Sequence, residues 1–190
     1  MTQKKAIAAP FTKGINLTNW LEYKRADLID PDYYTKQDFM NVKKLGCDCV
    51  RLPIHFEEIC EGIADYTIPE KIFAILDKVA AWAEELELYV IFDFHNATHI
   101  GSQTSTEVEN LLTPLWTQIA SRYKDATKYL IYELMNEPHG IEVPLWNEII
   151  GRVFKVVRSI DPNHYIIAGG ADWNSFAAMK TLPDFQDDKV

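Results

Sequence analysis

The sequence predicts an α/β fold, a parallel (β/α) barrel of TIM type with about five of its eight βα units present in this chain. Apolar, β-prone runs alternate with helical patterns five times, in units of about 30 to 45 residues, as in βαβ units. The runs are apolar almost throughout, which is typical of parallel strands covered on both faces. Polar residues recur at or just past the ends of successive runs, where barrel enzymes keep their chemistry.

The first two units have short strands. Strands are predicted at residues 15–17 and 47–52, the second closed by Pro53. Asp30-Pro31 predicts a helix start, with Asp as N-cap and Pro at the first helical position. The apolar stripe of this helix and its predicted stop are Phe39, Val42, Leu45 and Gly46.

The later units have clearer helices. Pro69-Glu70 opens a long amphipathic pattern, and Thr106 with Glu109 resembles a capping box before the next one. Pro114 predicts a kink or a later start in that helix. The remaining predicted elements are strands at 88–95 and 165–169, a strand in the stretch 129–138, a helix from Pro144 and a short helical segment after Asp172-Trp173-Asn174-Ser175.

Composition excludes several classes of protein. With 190 residues, 47% hydrophobic, the chain has the size and core of one domain, and we expect residues 1–190 to form a single incomplete barrel domain. The net charge of −9 disfavours nucleic acid and anionic membranes as partners. It is compatible with a neutral substrate such as a sugar.

Cysteines and the N-terminal segment bear on location. Cys47, Cys49 and Cys60 form no disulfide framework, and we expect buried thiols. Residues 1–10 lack the apolar core of a signal peptide, and no apolar run reaches membrane-spanning length. The expected location is therefore outside the cell if a leader was removed, and otherwise the cytoplasm.

The stretch 129–138 combines a strand pattern with two carboxyl groups. If the strand stays regular to its end, Glu133, Met135 and Glu137 share one face. A buried carboxylate requires a partner. Two interpretations are open: a structural polar network, or functional carboxyl groups at a strand end.

The strand ends offer a set of residues suited to acid–base chemistry. Glu137 suits a general acid/base, Asn136 can donate to a hydroxyl, Arg51 can hold a carboxylate, and His95 can bind substrate or a carboxylate. Trp20 and Trp173 are predicted to offer flat apolar faces for sugar rings.

Structural roles and cofactor sites are the alternatives for these residues. Arg51 could instead be the internal partner of Glu133 or Asp93, and His95 a core histidine. His95 and His99 lack a third ligand at motif spacing, so no zinc site is expected. No Gly-rich phosphate loop follows the first strand, and no cofactor is expected.

Four motifs in order resemble the cellulases of glycoside hydrolase family five. They are residues 14–22 (GINLTNWLE), residues 50–54 (VRLPI), residues 92–95 (FDFH) and residues 133–138 (ELMNEP). The resemblance runs from Gly14 to the end of the chain. It implies a (β/α)₈ barrel and retaining hydrolysis of internal β-1,4 linkages in a glucan.

The same resemblance assigns roles to the strand-end residues. Glu137 would be the acid/base, Asn136 would bind the sugar hydroxyl next to the scissile bond, and Arg51 and His95 would line the site. Trp173 would lie near the cleft. Asn96 occupies a position where family members often have a histidine, and is a further candidate for substrate binding.

The second carboxyl group of a retaining glycosidase is not evident. Glu133 precedes Glu137 by four residues, roughly 13 Å on a regular strand, whereas the reaction needs a separation of about 5 to 5.5 Å. We therefore expect the nucleophile to lie outside this chain. We also expect open sheet edges that a second copy or a missing C-terminal half would cover.

Two other hypotheses remain. The chain could be a catalytically inactive half-barrel that binds sugar or assembles with a partner. It could also be an enzyme of another barrel class that uses Glu137 as a base.

Overall fold

The fold is a parallel sheet whose strands follow their order in the chain. The computed structural model describes residues 8–23, 25–60, 65–95 and 105–190. The five strands lie in the order β1-β2-β3-β4-β5. Each connection moves one place in the same direction, as in a (β/α) barrel, whereas the strand order of a doubly wound sheet reverses. The strands are β1 (Gly14–Asn16), β2 (Cys49–Ile54), β3 (Tyr89–Phe94), β4 (Leu130–Glu133) and β5 (Tyr165–Ile167).

Helices connect the strands, and a 3-10 turn at Ala26–Leu28 follows β1. The predicted helix starts near Pro69 and Pro144 are confirmed. The helices are α1 (Lys36–Lys44), α2 (Phe56–Ile59), α3 (Glu70–Leu86), α4 (Ser105–Tyr123), α5 (Val143–Ile160), α6 (Ala171–Asn174) and α7 (Phe176–Met179).

The two faces of the sheet have different surroundings. Even-numbered residues of β2 to β5, such as Leu52, Phe92 and Tyr132, belong to the large apolar core shared with the helices. Odd-numbered residues face the other way, where Cys49, Ile91 and Ile131 form a small second cluster. The register pairs Asp93 with Glu133 on this second face. Side-chain alternation therefore places their carboxyl groups just beyond the small cluster, at the carboxyl end of the sheet.

The first helix begins later than predicted. Asp30-Pro31 forms a turn, in which the Asp30 carboxylate accepts from the Asp32 main chain at 3.0 Å. α1 starts after Thr35, which forms a capping box with Asp38. The predicted stop at Gly46 is confirmed, with φ +83°. The predicted stripe is wrong at Leu45, which is 75% exposed.

Two prolines lie inside elements that they were predicted to limit. β2 continues through Pro53 to Ile54. The His55 N–H donates to Leu21, so the backbone of Pro53, two residues earlier, faces the same side. β1 has already ended there and requires no N–H from Pro53. α4 likewise runs through Pro114 from Ser105, so the later start is wrong, and Thr106 lies within the helix rather than capping it.

The predicted regular strand up to Glu137 is wrong. β4 ends at Glu133, and Glu137 has a left-handed backbone with φ +39°. The alternation that would place Glu133 and Glu137 on one face therefore stops four residues before Glu137. This break separates a buried carboxyl group from an exposed one.

All three cysteines are free thiols, and the expectation of buried thiols holds for Cys49, whereas Cys47 and Cys60 are only partly buried. Burial raises the pKa of the Cys49 and Cys60 thiols to about 12, so both stay protonated near neutral pH.

The edge of β5 is partly paired, because the Ile166 N–H donates to the Lys189 carbonyl at 2.7 Å. Within the described parts of the chain, no helix is long and apolar enough to cross a membrane.

Candidate active site

Arg51 and Glu133 form the centre of a polar network at the carboxyl end of the sheet. Arg51 lies on β2 and Glu133 on β4, with β3 between them. The guanidinium donates through Nε to Glu133 Oε2 at 2.6 Å and through Nη2 to Oε1 at 2.8 Å. Such a two-point contact fixes the plane of both groups. Of the internal partners that the sequence left open for Arg51, Glu133 is therefore one.

Arg51 also contacts groups from neighbouring strands. Its Nη2 donates to Asn136 Oδ1 at 3.0 Å and lies 2.9 Å from Asp93 Oδ2. Its Nη1 donates to Asn16 Oδ1 at 3.4 Å. Burial lowers the pKa of Arg51, but the hydrogen bond to Glu133 and the charge of Asp93 outweigh this effect and raise it. One permanent positive charge therefore contacts four residues, which lie on β1, on β3 and at the end of β4.

His95 is held by a buried carboxyl group. Its Nδ1 lies 2.6 Å from Asp93 Oδ2, and Asp93 is fully buried. Burial is the main cause that raises the pKa of Asp93 to about 6, and the charge of Glu133 adds to it, while His95 and Arg51 oppose it. The His95 ring stacks on His55, with centroids 5.9 Å apart and planes at 9°. Burial lowers the pKa of His55.

Asn136 and Glu137 follow β4 in a turn, in which Glu137 has a left-handed backbone. The Asn136 N–H donates to the Phe94 carbonyl at 2.9 Å, which fixes this turn against the end of β3. Asn136 is half-buried through its contact with Arg51, whereas Glu137 is exposed. A left-handed backbone costs about 1 kcal/mol or more for a residue other than glycine. Such conformations concentrate at functional sites.

Trp173 lies beside this turn. Its main-chain N–H donates to the Pro138 carbonyl at 3.0 Å. Its indole stacks on the His139 ring, with centroids 4.9 Å apart and planes at 7°. Trp173 is 59% exposed, so the predicted open aromatic face is present here.

The prediction of an open face on Trp20 is wrong. Trp20 is 1% exposed, its Nε1 donates to the Asp30 carbonyl at 2.8 Å, and Tyr34 packs edge-on against it. The indole is therefore covered by residues 30–34 of the segment that follows β1, and it offers no open face. Two other predictions, on Asn96 and on the histidine pair with His99, lie outside the described residues.

Sequence reasoning gave no site role to His55 and His139, and it named Asp93 only as a possible partner of Arg51. Asp93 and His139 each hydrogen-bond a predicted site residue or its main chain, and His55 stacks on one. Asp93 had a visible signal, since it lies two residues before His95 on the same strand face. The stack of His139 on Trp173 had none, because the two residues are 34 positions apart.

No metal centre is found in the part of the chain that the structure describes. No group of three or more histidine, cysteine, aspartate and glutamate side chains there could hold a metal ion. The buried carboxyl groups of Asp93 and Glu133 instead contact Arg51 and His95.

The fold and the strand-end network define a (β/α)-barrel protein with a polar site at the carboxyl end of its sheet. The family model described as cellulase, glycosyl hydrolase family 5, matches residues 8–190. The chain belongs to this family.

Individual relatives agree with this assignment. Endoglucanase C of Acetivibrio thermocellus is 28% identical over 95% of this chain. Endoglucanase Cel5A of Thermotoga maritima superposes with a TM-score of 0.79 at 32% identity, over 90% of this chain and 55% of that one. The cellulose synthase subunit Z of Clostridioides difficile superposes with a TM-score of 0.84 at 28% identity, over 95% and 59%. The Thermotoga enzyme is also described in complex with cellobiose and with mannotriose.

The match covers only part of these relatives. This chain spans 55% of the length of Endoglucanase C and a similar share of the solved structures. The five strands accordingly correspond to part of a barrel.

Proposed function

We propose that this chain supplies the acid/base half of a retaining endo-β-1,4-glucanase. Glu137 would protonate the oxygen of the leaving sugar and later activate the water molecule that releases the product. One observation carries the proposal: Asn136-Glu137 follows β4 with the Asn136 side chain held by Arg51 and the Glu137 side chain exposed. An exposed carboxyl group can protonate the oxygen of a glycosidic bond. The fixed amide beside it can bind a hydroxyl group of the same sugar.

The neighbouring residues would bind the sugar next to the scissile bond. Asn136 can donate to a hydroxyl through its amide nitrogen, since Arg51 occupies its oxygen. The Nδ1 of His95 is engaged with Asp93, which leaves Nε2 for a substrate hydroxyl. Trp173 would stack on a sugar ring, and Asn96 remains a candidate contact from sequence alone.

The second carboxylate of the reaction would come from outside these 190 residues. Among the described residues at the network, Glu133 is bound by Arg51 at two points and Asp93 contacts Arg51 and His95. A nucleophile must approach the sugar carbon from the side opposite the acid, about 5 to 5.5 Å from it. The buried Glu133 and Asp93 are committed to holding other residues.

The substrate we expect is a soluble or insoluble β-1,4-glucan. Relatives are named endoglucanases, and the described site contains uncharged hydrogen-bonding groups and an aromatic ring rather than a cluster of cations. Mannan is the competing polysaccharide, because the Thermotoga relative binds mannotriose as well as cellobiose.

The test is hydrolysis of soluble β-1,4-glucan and of β-1,4-mannan. It uses this chain and a longer chain that continues beyond Val190, each with and without Glu137→Gln. We expect the longer chain to hydrolyse glucan and to lose about 10²- to 10⁴-fold in rate with Glu137→Gln. Glu142→Gln is the matched control, since Glu142 is exposed five residues away. Hydrolysis of glucan that survives Glu137→Gln would refute the acid/base role.

A second function is a half-barrel that binds sugar without cleaving it. The observation in its favour is the engagement of Glu133 and Asp93, which leaves Glu137 as the free carboxyl group at the described network. Calorimetric binding of cellotetraose by the 190-residue chain, with no hydrolysis by the longer chain either, would favour this function.

A further inference from the structure

His139 contacts the candidate acid through its main chain. The His139 Nδ1 lies 2.8 Å from the Glu137 carbonyl oxygen. A carbonyl oxygen only accepts, so the proton of this hydrogen bond belongs to Nδ1. Nδ1 is therefore the donor of this hydrogen bond. In the neutral ring, the free lone pair lies on Nε2.

The same histidine contacts the exposed aromatic ring. Its imidazole lies parallel to the Trp173 indole, with planes at 7° and centroids 4.9 Å apart. A main-chain hydrogen bond from Trp173 to Pro138 joins the same two segments at 3.0 Å. The turn after β4 (residues 136–139) and the turn after β5 (residues 171–174, the segment named α6, whose residues 172–174 have left-handed backbones) are thus connected by one ring stack and one backbone contact.

Both turns have backbones that need outside support. Glu137 has φ +39°, and Asp172, Trp173 and Asn174 have φ between +54° and +58°. Left-handed conformations of residues other than glycine persist only where their surroundings hold them. His139 contacts one residue of each turn, Glu137 and Trp173.

The stack also determines which face of Trp173 is free. His139 covers one face of the indole, yet Trp173 remains 59% exposed. The opposite face is therefore the one that a sugar ring can approach. A tryptophan backed by a second ring presents a rigid apolar surface with few rotamers left to lose.

We propose that His139 is a positioning residue that holds the Glu137 main chain and the Trp173 ring in fixed relation to each other. Its two contacts are separable, since one uses Nδ1–H and the other uses the face of the ring. The consequence for catalysis rests on the proposed function of Glu137, whereas the geometric coupling does not.

Two substitutions separate the contacts. His139→Asn retains a donor near the position of Nδ1 but removes the ring. His139→Phe retains a ring for the stack but removes the donor. His139 is half-exposed, so both variants should fold, which the melting temperature of each one checks.

The first readout is magnetic resonance of the 190-residue chain. The Trp173 indole N–H signal, assigned with Trp173→Phe, should move in His139→Asn and stay near its position in His139→Phe. The ¹³C shift of the Glu137 carbonyl should show the reverse pattern. Both signals unchanged in both variants, or both moved equally with a matching loss of melting temperature, would overturn the inference.

The second readout is kinetic and uses the longer chain described above. We expect His139→Asn to weaken cellotetraose binding by about three- to tenfold, with kcat largely kept, because the ring behind Trp173 is lost. We expect His139→Phe to lower kcat by about tenfold with binding kept, because the acid is displaced. Equal effects of both variants on kcat and KM would contradict a positioning role.

The two readouts distinguish a failure of the proposed function from a failure of the inference about His139. A parent chain that neither binds nor hydrolyses glucan would refute the proposed function. The resonance pattern would still decide whether His139 couples the two turns.

Discussion

Arg51 and Glu133 connect β2 to β4 over the intervening β3 through hydrogen bonds of 2.6 and 2.8 Å. The pair lies largely out of solvent, with side chains 22% and 11% exposed. Because Arg51 also donates to Asn136, the pair connects the packing of the sheet with the residue that precedes the candidate acid. The network therefore stabilises the fold and orients the site.

Removal of Arg51 should be strongly destabilising. Arg51→Met leaves Glu133 and Asp93 without their cation, and we expect the free energy of unfolding to fall by about 3 to 5 kcal/mol. Urea denaturation measures this fall in the free energy of unfolding. In the double variant with Glu133→Met, the loss should be well below the sum of the two single losses. Additive losses would show that the two side chains do not interact.

Asp161 should stabilise the fold above about pH 4. Burial favours its neutral form, but hydrogen bonds from His164 and from the Asn163 and His164 main chain outweigh burial and lower the pKa of Asp161 to about 2. A lowered carboxyl pKa gives stability that is complete above the unfolded value and is lost as pH falls through the folded one.

The measurement is urea denaturation of the parent and Asp161→Asn between pH 2 and pH 6. The parent's advantage should be constant above about pH 5 and shrink by on the order of 2 kcal/mol toward pH 2. An advantage independent of pH would contradict an Asp161 whose pKa is lowered in the folded state.

Asp93 should have the opposite pH dependence. Its pKa is raised to about 6, chiefly by burial, so the folded state binds a proton more readily than the unfolded one. This contribution to stability is complete below about pH 4 and is lost as pH rises through about 6. Relative to Asp93→Asn, the parent should therefore lose on the order of 2 kcal/mol between pH 4 and pH 7. A difference that grows with pH would indicate an Asp93 held ionised.

The left-handed backbone at Glu137 predicts an unusual order of stability. Glu137→Gly should be more stable than Glu137→Ala by about 1 kcal/mol, because glycine adopts a φ of +39° without strain. At Glu148, an exposed residue within α5, the order should reverse by a similar amount. Thermal unfolding of the four variants measures both differences. Alanine more stable than glycine at both positions would exclude the left-handed conformation.

Local signals were sufficient for most of the fold and for the candidate acid. An apolar, β-prone run predicts β4, although the strand already ends at Glu133, and prolines mark the starts of α3 and α5. These signals act within a few residues. Parallel strands then gather their carboxyl ends by geometry, which is why Arg51, His95 and Asn136 were predicted to meet.

Long-range packing decided what the sequence could not predict. Trp20 and Trp173 both follow a strand and looked alike as candidates. Trp20 is covered by Tyr34 and hydrogen-bonded to Asp30, whereas Trp173 has one face against His139 and is 59% exposed. The left-handed turn at Glu137 was also missed, because Met135-Asn136-Glu137 has no glycine to signal it.

The most direct test of Glu137 as the acid compares two leaving groups. A leaving group such as dinitrophenolate departs without a proton, whereas the sugar of a glucan requires one. With the longer chain, Glu137→Ala should slow glucan hydrolysis by about 10²- to 10⁴-fold. The first step on dinitrophenyl cellobioside, measured as the release of dinitrophenolate in a single turnover, should slow by less than about tenfold, since no proton is needed there. An equal loss on both substrates would contradict the assignment of Glu137 as the general acid.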